Sequence, residues 1–401
     1  MIEGLDIVYY GPEPWEGMWR NRHQLLSRLA RANRVVYIEP RPYLRQVLRG
    51  WPGRRDPATQ AGLARLGDGL WLYRTPGVGA IGGGPLWRPV ARSLRVRHLR
   101  KALRSLGIER PLVWLSHPSQ ADAASDLPAR LRIYHVVDDY LAYGAPGREP
   151  LSWLKDWEDR ILAWADLVVA VTPELMETRG SRATKAVLIP NAADVDAFSA
   201  ALAQPAALPA GASPPVIGYE GLISARLDLD MVERCASRRP EWSWVFVGKI
   251  VNQDCEQALE RLAGLPNVHF LGVRPVSEIP SIVASWDVGI IPYRVNAETR
   301  SASPLKLYEY LAAGLPVVSS DVPAARQFVG LVSIVNGVDE MEQAIAETLH
   351  ADALSNRLAR WGVVRAHSWD ARIQTLSKVL AETLATRDGS VHLGKSDTAD
   401  Q

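Results

Sequence analysis

The amino-acid sequence predicts an α/β protein made of two Rossmann-like domains whose parallel sheets face a central cleft. The chain has 401 residues and 47% of them are hydrophobic, so it is too long for one ordinary core and apolar enough for two. In both halves, short apolar runs alternate with stretches of helical period, which is typical of parallel sheets covered by helices. Residues 197–215 are dominated by Ala and Pro and contain no such run, which indicates a linker.

The predicted strands define the domain boundaries. Those of the first half are residues 5–10, 35–38, 112–116, 132–137 and 167–172. Those of the second half are residues 216–219, 244–248, 268–272, 288–292, 316–319 and 332–335. The first domain is placed at 1–196 and the second at 216–370. A helix at 371–386 is expected to pack back on the first domain, and the polar residues 387–401 are expected to be a disordered tail because they lack hydrophobic periodicity.

Targeting signals and cysteines indicate the compartment. No stretch approaches the roughly 18 uninterrupted apolar residues of a membrane span. A signal peptide has a basic segment followed by an apolar one, whereas this chain has Glu3 and Asp6 at its start. Cys235 and Cys255 are too few for a disulfide framework and do not have metal-ligand spacing. We therefore expect a cytoplasmic protein without a metal site, in which both cysteines are packing residues.

Residues 41–110 form a strongly basic segment. They hold fourteen Arg and one Lys against three carboxylates, a net charge of +12 in a chain whose net charge is +2. Trp51, Trp71 and Trp87 lie in the same segment, and Arg with Trp is typical of interfacial membrane contact. A solvated helix face is the plainest interpretation. The alternative is that the segment binds an anionic membrane, at the inner face of the plasma membrane, or a lipid-linked acceptor. Binding to nucleic acid is not indicated, because no recognition motif accompanies the charge.

A glycine pattern at residues 77–82 matches the dinucleotide fingerprint by letter only. Gly77, Gly79 and Gly82 have the spacing, but more glycines and prolines follow where the phosphate-binding helix has to begin. The fingerprint also requires a carboxylate about 20 residues further on, where this chain is basic. The pattern therefore indicates a loop, which we place near an acceptor site.

The strongest candidate site is a helix predicted to begin at Ser303. Ser303 suits the N-cap, Pro304 suits the first helical position, and Gly314 suits the left-handed residue that ends a helix. The free N–H groups at such a start bind phosphate, and Lys306 adds a full charge. Glu309 lies one turn further on the same face, where its carboxylate could bind the hydroxyls of a ribose. A surface helix with an incidental Lys–Glu pair is the alternative.

Residues 306–318, with the sequence KLYEYLAAGLPVV, resemble the nucleotide-binding helix of the bacterial group 1 glycosyltransferases of the GT-B fold. Residues 165–173, 188–194, 268–272 and 279–283 resemble the same family in the same order. Residues 19–40 resemble its branch of teichuronic-acid-type transferases. The resemblance covers about residues 5 to 375. It implies a metal-independent hexosyltransferase with an N-terminal acceptor domain and a C-terminal domain for a nucleoside-diphosphate sugar, UDP- or GDP-linked, and no other cofactor.

The resemblance has one departure that bears on stereochemistry. Many retaining members carry a second glutamate eight residues before the helix glutamate, and this position is Ser301 here, with Glu298 near but off register. The layout is closer to that of inverting exopolysaccharide glucuronosyltransferases, which pair a helix lysine with an aspartate base after an N-domain strand. We therefore expect inversion, with retention by the same fold as the alternative.

The expected base follows the predicted strand 132–137. Asp138 and Asp139 lie where that strand ends, at the sheet edge where α/β folds bind ligands. A carboxylate near the acceptor hydroxyl removes its proton during inverting transfer, and Asp138 is the candidate. A turn or cap made by either aspartate is the plain alternative. His117, which ends the previous strand, is the reserve candidate.

Further residues are assigned to the substrates by position. Trp15, Trp19 and Arg22 belong to the loop after the first strand and are candidates for acceptor binding, although Trp19 also suits a packing role. In the second domain, strand ends supply the remaining candidates for the nucleotide sugar. These are Glu220, Gly221, Lys249, Gly272 and Arg274.

Two other functions fit the same fold. An epimerase or phosphorylase is one, although no motif for a lysine-held phosphorylase cofactor is present. A sugar-nucleotide-binding or scaffold protein on a decayed transferase fold is the other, because Ser301 replaces a motif carboxylate. The expected acceptor is a hydroxyl of a glycan, of a lipid-linked sugar or of a small molecule, and the sequence does not choose among them.

Overall fold

The computed structural model describes residues 1–41, 61–77, 87–142, 151–251 and 254–393. By their contacts these residues form two compact units, Met1–Ile189 with Ile373–Gln401, and Pro190–Arg372. Trp51, Gly79 and Gly82 lie outside the described residues, as do most of the glycine pattern and part of the basic segment. The change of unit after Ile189 precedes the predicted linker, whose first residues are helical.

The first unit is built on a sheet of eight strands in the order β3-β4-β2-β1-β5-β6-β7-β8. All neighbouring strands are parallel except β3 and β4. The sequence predicts five of the eight and misses β3, β4 and β8. The strands are β1 (Asp6–Tyr10), β2 (Arg34–Ile38), β3 (Gly62–Gly67), β4 (Leu70–Arg74), β5 (Leu112–Leu115), β6 (Leu131–Val136), β7 (Leu167–Ala170) and β8 (Ala186–Leu188).

Helices of the first unit cover this sheet. They are α1 (Asn21–Leu29), α2 (Trp87–Ser105), α3 (Leu151–Trp164) and α4 (Pro173–Thr178), with short 3₁₀ helices at Pro118–Ala123 and Gly180–Arg182. The inner strands are mostly buried, whereas the edge strands β3 and β8 are partly exposed. Accordingly β5 and β7 read as continuous apolar runs in which every residue is buried.

The second unit has a parallel sheet of six strands in the order β11-β10-β9-β12-β13-β14. Counted within the unit this order is 3-2-1-4-5-6, the doubly wound arrangement in which ligands bind where the strand order reverses, here between β9 and β12. All six strands are predicted from the sequence. They are β9 (Val216–Glu220), β10 (Ser243–Val247), β11 (Val268–Phe270), β12 (Val288–Ile291), β13 (Val317–Ser320) and β14 (Val332–Val335).

Helices alternate with these strands. They are α5 (Val195–Ala201), α6 (Leu229–Arg238), α7 (Glu256–Ala263), α8 (Ile279–Val283), α9 (Ala297–Arg300), α10 (Leu305–Ala312), α11 (Pro323–Arg326), α12 (Val338–Ala351) and α13 (Leu354–Val364), followed by a 3₁₀ turn at Arg365–His367. As predicted, α10 ends at a left-handed Gly314, whose φ is +69°. The N–H groups of Gly314 and Leu315 donate to the carbonyls of Leu311 and Tyr310, which is a Schellman motif.

The last helix, α14 (Trp369–Leu393), groups with the first unit from Ile373 onward. Its Ile373, Leu376, Leu380 and Leu384 are buried at helical spacing. The helix continues seven residues beyond the predicted end at 386, so residues 387–393 are helical and not a disordered tail, and 394–401 lie outside the described residues. In the part of the chain described above, no helix is both long enough and apolar enough to cross a membrane.

Candidate functional site

The start of α10 differs by one residue from the prediction. Helix α10 begins at Leu305, and Pro304 is the N-cap because its ψ of 124° is extended and not helical. Ser303, predicted as the N-cap, lies before it, and its carbonyl accepts a 2.6 Å hydrogen bond from Asn191 Nδ2. No side chain caps the helix, so its first-turn N–H groups are available to a ligand.

Lys306, in the first turn of α10, is buried with only 7% of its surface exposed. Its Nζ donates to Tyr293 Oη over 3.1 Å and lies 4.8 Å from the centre of the Tyr219 ring and 5.4 Å from that of Tyr293. Burial alone lowers a lysine pKa, but here Tyr219, Tyr293 and Glu220 outweigh burial and raise the pKa of Lys306 above its ordinary value. The amine is therefore a cation held between two aromatic rings.

Glu220 and Glu309 form a hydrogen-bonded carboxyl pair beside Lys306. Burial raises the pKa of Glu220, and Lys306 opposes this. Burial and the charge of Glu220 raise the pKa of Glu309 well above its ordinary value. Two buried carboxyl groups in contact do not both ionise easily, so we infer that the pair retains a proton.

Glycines allow the backbone to close around the lysine. Gly221, after β9, has a φ of +123°, and a Cβ there would lie 2.9 Å from Lys306 Nζ. Gly248, after β10, has a φ of +140°, and a Cβ there would lie 1.9 Å from the Gly221 carbonyl oxygen. The Gly248 N–H donates to the Gly272 carbonyl over 2.8 Å, which ties the ends of β10 and β11 together. Side chains at Gly221 and Gly248 would fill the pocket.

The Lys306 pocket, defined as Tyr219, Glu220, Gly221, Tyr293, Lys306 and Glu309, therefore lies at the reversal of strand order between β9 and β12. Four of its six members are predicted from the sequence. Tyr219 and Tyr293 are missed, although their places at the ends of β9 and β12 are the signal that identifies them. Lys249 and Arg274 are exposed residues that follow the ends of β10 and β11.

In the first unit, the ends of β5 and β6 bring the predicted catalytic residues to one sheet edge. His117 follows β5, and its ring packs 4.2 Å from that of Tyr140, which follows β6. His117 Nδ1 accepts the Ser119 N–H over 3.1 Å and so caps the 3₁₀ helix. Burial lowers the pKa of His117 to about 4, against a small opposing effect of Glu13. At neutral pH His117 is therefore an uncharged cap.

The two predicted aspartates have different environments. The Asp139 carboxylate accepts two hydrogen bonds from Arg179, 3.1 Å from Nη1 and 2.6 Å from Nη2, and a third from the Leu141 N–H over 3.2 Å. Asp138 Oδ1 accepts the Asp139 N–H over 3.1 Å. Asp139 is therefore an ion-pair partner of Arg179, and the catalytic roles of Asp138 and Asp139 stay predictions.

The predicted acceptor residues form a packed aromatic cluster. His23 lies 4.6 Å from the ring of Trp15 and stacks on Trp19 at 4.7 Å, and its Nε2 contacts the Trp15 carbonyl over 2.8 Å. Burial lowers the pKa of His23 to about 4. Arg22 is buried and donates to Glu13 over 2.9 Å. The cluster gives Trp15, Trp19 and Arg22 packing roles, and acceptor binding stays a prediction.

Comparison with known proteins identifies a similar family and a similar bacterial protein. Residues 223–351 match the family described as "Glycosyl transferases group 1". A relative in Bacillus subtilis (strain 168), "Putative teichuronic acid biosynthesis glycosyltransferase TuaH", is 28% identical over 227 residues, which are 54% of this chain and 57% of that protein. The chain thus matches little more than half the length of this curated relative.

Solved structures match almost the whole chain. Sucrose-phosphate synthase from Thermosynechococcus elongatus has a TM-score of 0.69 at 17% identity, over 95% of this chain and 100% of that one. HepE of Anabaena, in complex with UDP and glucose, has a TM-score of 0.63 at 13% identity, over 94% and 100%. The chain has the GT-B fold, and its residues 223–351 are similar to the group 1 glycosyltransferases. These likenesses bear on its fold alone.

The residues before α10 bear on the expected stereochemistry. Ser301, eight positions before Glu309, is buried. The Oε1 of Glu298 accepts hydrogen bonds from Arg226 over 2.6 Å and 2.9 Å. The nearby carboxylate is therefore occupied by an ion pair.

Helix α2 carries most of the described cations of the basic segment. It carries six Arg and one Lys and no acidic residue. Arg92 and Arg95 donate to the buried Asp126 carboxylate, and Arg100 donates to its carbonyl. The cations Arg88, Arg97, Lys101 and Arg104 are exposed, as are Trp87 and Val90 at the start of the helix. About half of the helix charge is thus structural and the rest faces solvent.

Proposed function

We propose that the protein transfers a sugar from a nucleoside-diphosphate sugar to a hydroxyl group of an acceptor, by a metal-independent reaction that inverts the anomeric centre. The observation that carries this proposal is the Lys306 pocket, a buried cation at the start of an uncapped helix and at the switch point of a doubly wound sheet. The group 1 domain and the GT-B fold support the same reaction.

The pocket supplies the charges that such a donor requires. A nucleoside-diphosphate leaving group gains negative charge as the glycosidic bond breaks. Lys306 and the first-turn N–H groups of α10 are placed to stabilise that charge, so no metal ion or other cofactor is required. The Glu220–Glu309 pair has both a proton to donate and oxygens to accept, which suits the two hydroxyls of a ribose.

The donor nucleotide in this proposal is UDP or GDP. Among proteins of similar fold, HepE is described in complex with UDP and glucose, and a trehalose-6-phosphate protein of E. coli with UDP-2-fluoro glucose. These complexes favour UDP for the first experiments. Lys249 and Arg274, at the exposed ends of β10 and β11, are the proposed further contacts to the nucleotide, with Gly272 between them.

Asp138 is the proposed general base. As the acceptor oxygen bonds to the anomeric carbon, the carbon–oxygen bond to the diphosphate breaks and the acceptor proton passes to the Asp138 carboxylate. Two observations favour inversion, since Ser301 is not a carboxylate and Glu298 is held by Arg226. Retention by the same fold is the alternative, and the configuration of the product decides between them.

Nucleotide binding tests the central claim. UDP and GDP are each titrated against the wild-type chain, Lys306→Met and the surface variant Arg238→Met, with melting temperature and calorimetric Kd as measurements. We expect one nucleotide to stabilise the wild type and Arg238→Met, and Lys306→Met to lose at least a hundredfold in affinity, about 2.7 kcal/mol. If neither nucleotide raises the wild-type melting temperature, the proposal is wrong.

Donor turnover separates the enzyme from a binding or scaffold protein. Release of UDP or GDP from UDP-glucose, UDP-glucuronate and GDP-mannose is measured for the wild type and for Asp138→Asn. An enzyme releases nucleotide above background and Asp138→Asn slows it with the nucleotide Kd unchanged. Nucleotide binding without release from any acceptor mixture would favour the scaffold alternative.

The proposed acceptor includes a lipid-linked one at an anionic membrane surface. The four exposed cations of α2 with Trp87 and Val90 support this, because basic and aromatic side chains together bind anionic interfaces. We expect the protein to co-sediment with phosphatidylglycerol vesicles and not with phosphatidylcholine vesicles. The binding should weaken as salt rises from 50 to 500 mM. Binding that does not depend on salt or on lipid charge would exclude an anionic membrane surface as the partner.

A further inference from the structure

A chain of polar side chains joins strand β6 to the turn that follows it. The Tyr134 hydroxyl, in β6, donates to Glu158 Oε1 over 2.9 Å. Glu158, in α3, accepts from Arg179 Nε through its other oxygen over 3.3 Å. Arg179, at the end of α4, donates through both terminal nitrogens to Asp139, five residues after Tyr134. The turn is thus tied to its own strand through two helices.

The side chains at the centre of this polar network are buried, so their positions are fixed by their hydrogen-bond partners. Glu158 is 1% exposed and Arg179 is 8% exposed. One guanidinium serves two carboxylates, because its Nε faces Glu158 while its two terminal nitrogens form a planar fork on Asp139. Lysine has the same charge without the fork and cannot replace all three contacts. The arrangement therefore sets the position of Asp139, not only its charge.

The position of Asp139 sets the orientation of Asp138. The Asp139 N–H donates to Asp138 Oδ1, and the Asp139 carboxylate also accepts the Leu141 N–H. Holding this carboxylate fixes the backbone of the turn and the direction of the N–H that meets Asp138. The contacts run from a rigid buried strand to the side chain proposed as the base.

We infer that Arg179 is a positioning residue for the transfer reaction, which with Glu158 holds Asp139 so that the Asp138 carboxylate is aimed at the acceptor hydroxyl. The inference rests on the proposed function, in which Asp138 is the base. It assigns a functional role to a residue 40 positions from Asp139 in the chain, for which the sequence analysis has no motif.

Hydrolysis of the nucleotide sugar tests the inference, with water in the place of the acceptor. The substrate is whichever of UDP-glucose, UDP-glucuronate and GDP-mannose the wild type turns over fastest. Arg179→Lys is expected to lower kcat ten- to hundredfold while the donor KM stays within twofold, because the donor site belongs to the second unit. Arg182→Lys is the matched control, since Arg182 pairs at the surface with Asp159 over 2.6 Å.

A double-mutant cycle separates positioning from a loss of fold. Because Arg179 acts through Asp138, Asp138→Asn with Arg179→Lys should be no slower than Asp138→Asn alone. Wild-type kcat in Arg179→Lys, or an effect that adds fully to that of Asp138→Asn, overturns the inference. If Arg179→Lys lacks a melting transition, Asp139→Ala replaces it with the same expected loss, and wild-type kcat there is equally decisive.

The inference and the proposed function fail in different ways. A wild type that neither binds UDP or GDP nor releases nucleotide contradicts the proposed function. A wild type that does both, with kcat insensitive to Arg179→Lys and Asp139→Ala, contradicts the inference alone.

Discussion

Each unit contains a pair of neighbouring carboxyl groups near the carboxyl end of a parallel strand, and the two pairs differ in how they contact a cation. In the second unit, Lys306 lies beside Glu220, and the carboxyl pair Glu220–Glu309 keeps a proton. In the first unit, Arg179 takes the whole carboxylate of Asp139 in a fork, which separates it from Asp138. Lysine offers a single ammonium group and arginine a planar fork of donors, and only Asp139 is bound through both carboxylate oxygens by its cation.

The difference also divides the chemistry between the units. The Lys306 ammonium group lies near two aromatic rings and acts as a point charge. Such a charge is suited to a diphosphate, whose binding depends more on charge than on the orientation of the hydrogen bonds. A forked ion pair is suited to orientation, because two parallel hydrogen bonds fix a plane. We therefore expect charge changes to matter most in the Lys306 pocket and geometry changes to matter most in the Asp138 turn.

Removing Arg179 should produce the largest loss of stability. Arg179→Met leaves the buried Glu158 carboxylate without its cation, and breaking a buried pair costs about 3–5 kcal/mol. Arg182→Met breaks an exposed pair and should cost about 0–1 kcal/mol. Hydrogen exchange of the β6 and β7 amides measures the free energy of opening in this unit. Equal effects of the two substitutions would show that the Arg179 fork contributes no more than a surface pair.

The close approach of the backbone strands around Lys306 should be the next most sensitive to substitution. In Gly248→Ala the new Cβ would lie 1.9 Å from the Gly221 carbonyl oxygen, at a φ of +140°, so the strand ends must separate. We expect a loss of about 3 kcal/mol, measured by chemical denaturation, together with weaker nucleotide binding. Gly330→Ala is the matched control in the same unit, since its φ is +88° and no atom lies within 4 Å of the new Cβ.

Gly330→Ala should therefore show backbone strain alone, about 1–2 kcal/mol, with nucleotide affinity unchanged. The difference between the two substitutions isolates the contact between the ends of β9 and β10. If Gly248→Ala binds nucleotide as the wild type does, the approach of Gly248 to Gly221 is not part of the donor site.

Much of this comparison follows from local sequence patterns. The glycine after α10 and the apolar runs of the second half predict the helix end and all six strands of the second unit. Glu220, Gly221, Lys306 and Glu309 are predicted because strand ends and helix starts are where charged groups meet ligands. The N-cap is missed by one residue because the extended ψ of Pro304 cannot be inferred from residue types.

Long-range pairings account for what the sequence does not predict. Arg179 and Asp139 are 40 positions apart, and Lys306 and Tyr293 are 13 apart, and neither spacing follows a local period. Strand β3 carries Arg65 and glycines and β8 has three residues, so neither has the apolar run that indicates a strand. Trp15 and Trp19 pack on His23 because the fold brings α1 to their loop, and no pattern at those residues distinguishes packing from sugar stacking.

The shared proton of the second unit gives the smallest effect and the sharpest test of the comparison. Because the folded state raises the pKa of Glu309, its contribution to stability is full below the pKa of an unfolded glutamate and falls as pH rises towards the folded pKa. Glu309→Gln keeps the hydrogen bond to Glu220 and cannot ionise. Over pH 5 to 8 the wild type should therefore lose stability relative to Glu309→Gln, and the loss should stop at the folded pKa. Chemical denaturation across that range measures it, with Glu298→Gln as the control whose carboxylate is ion-paired with Arg226. A difference between wild type and Glu309→Gln that does not change with pH would mean that Glu220 and Glu309 do not share a proton, and that the two units do not differ in this respect.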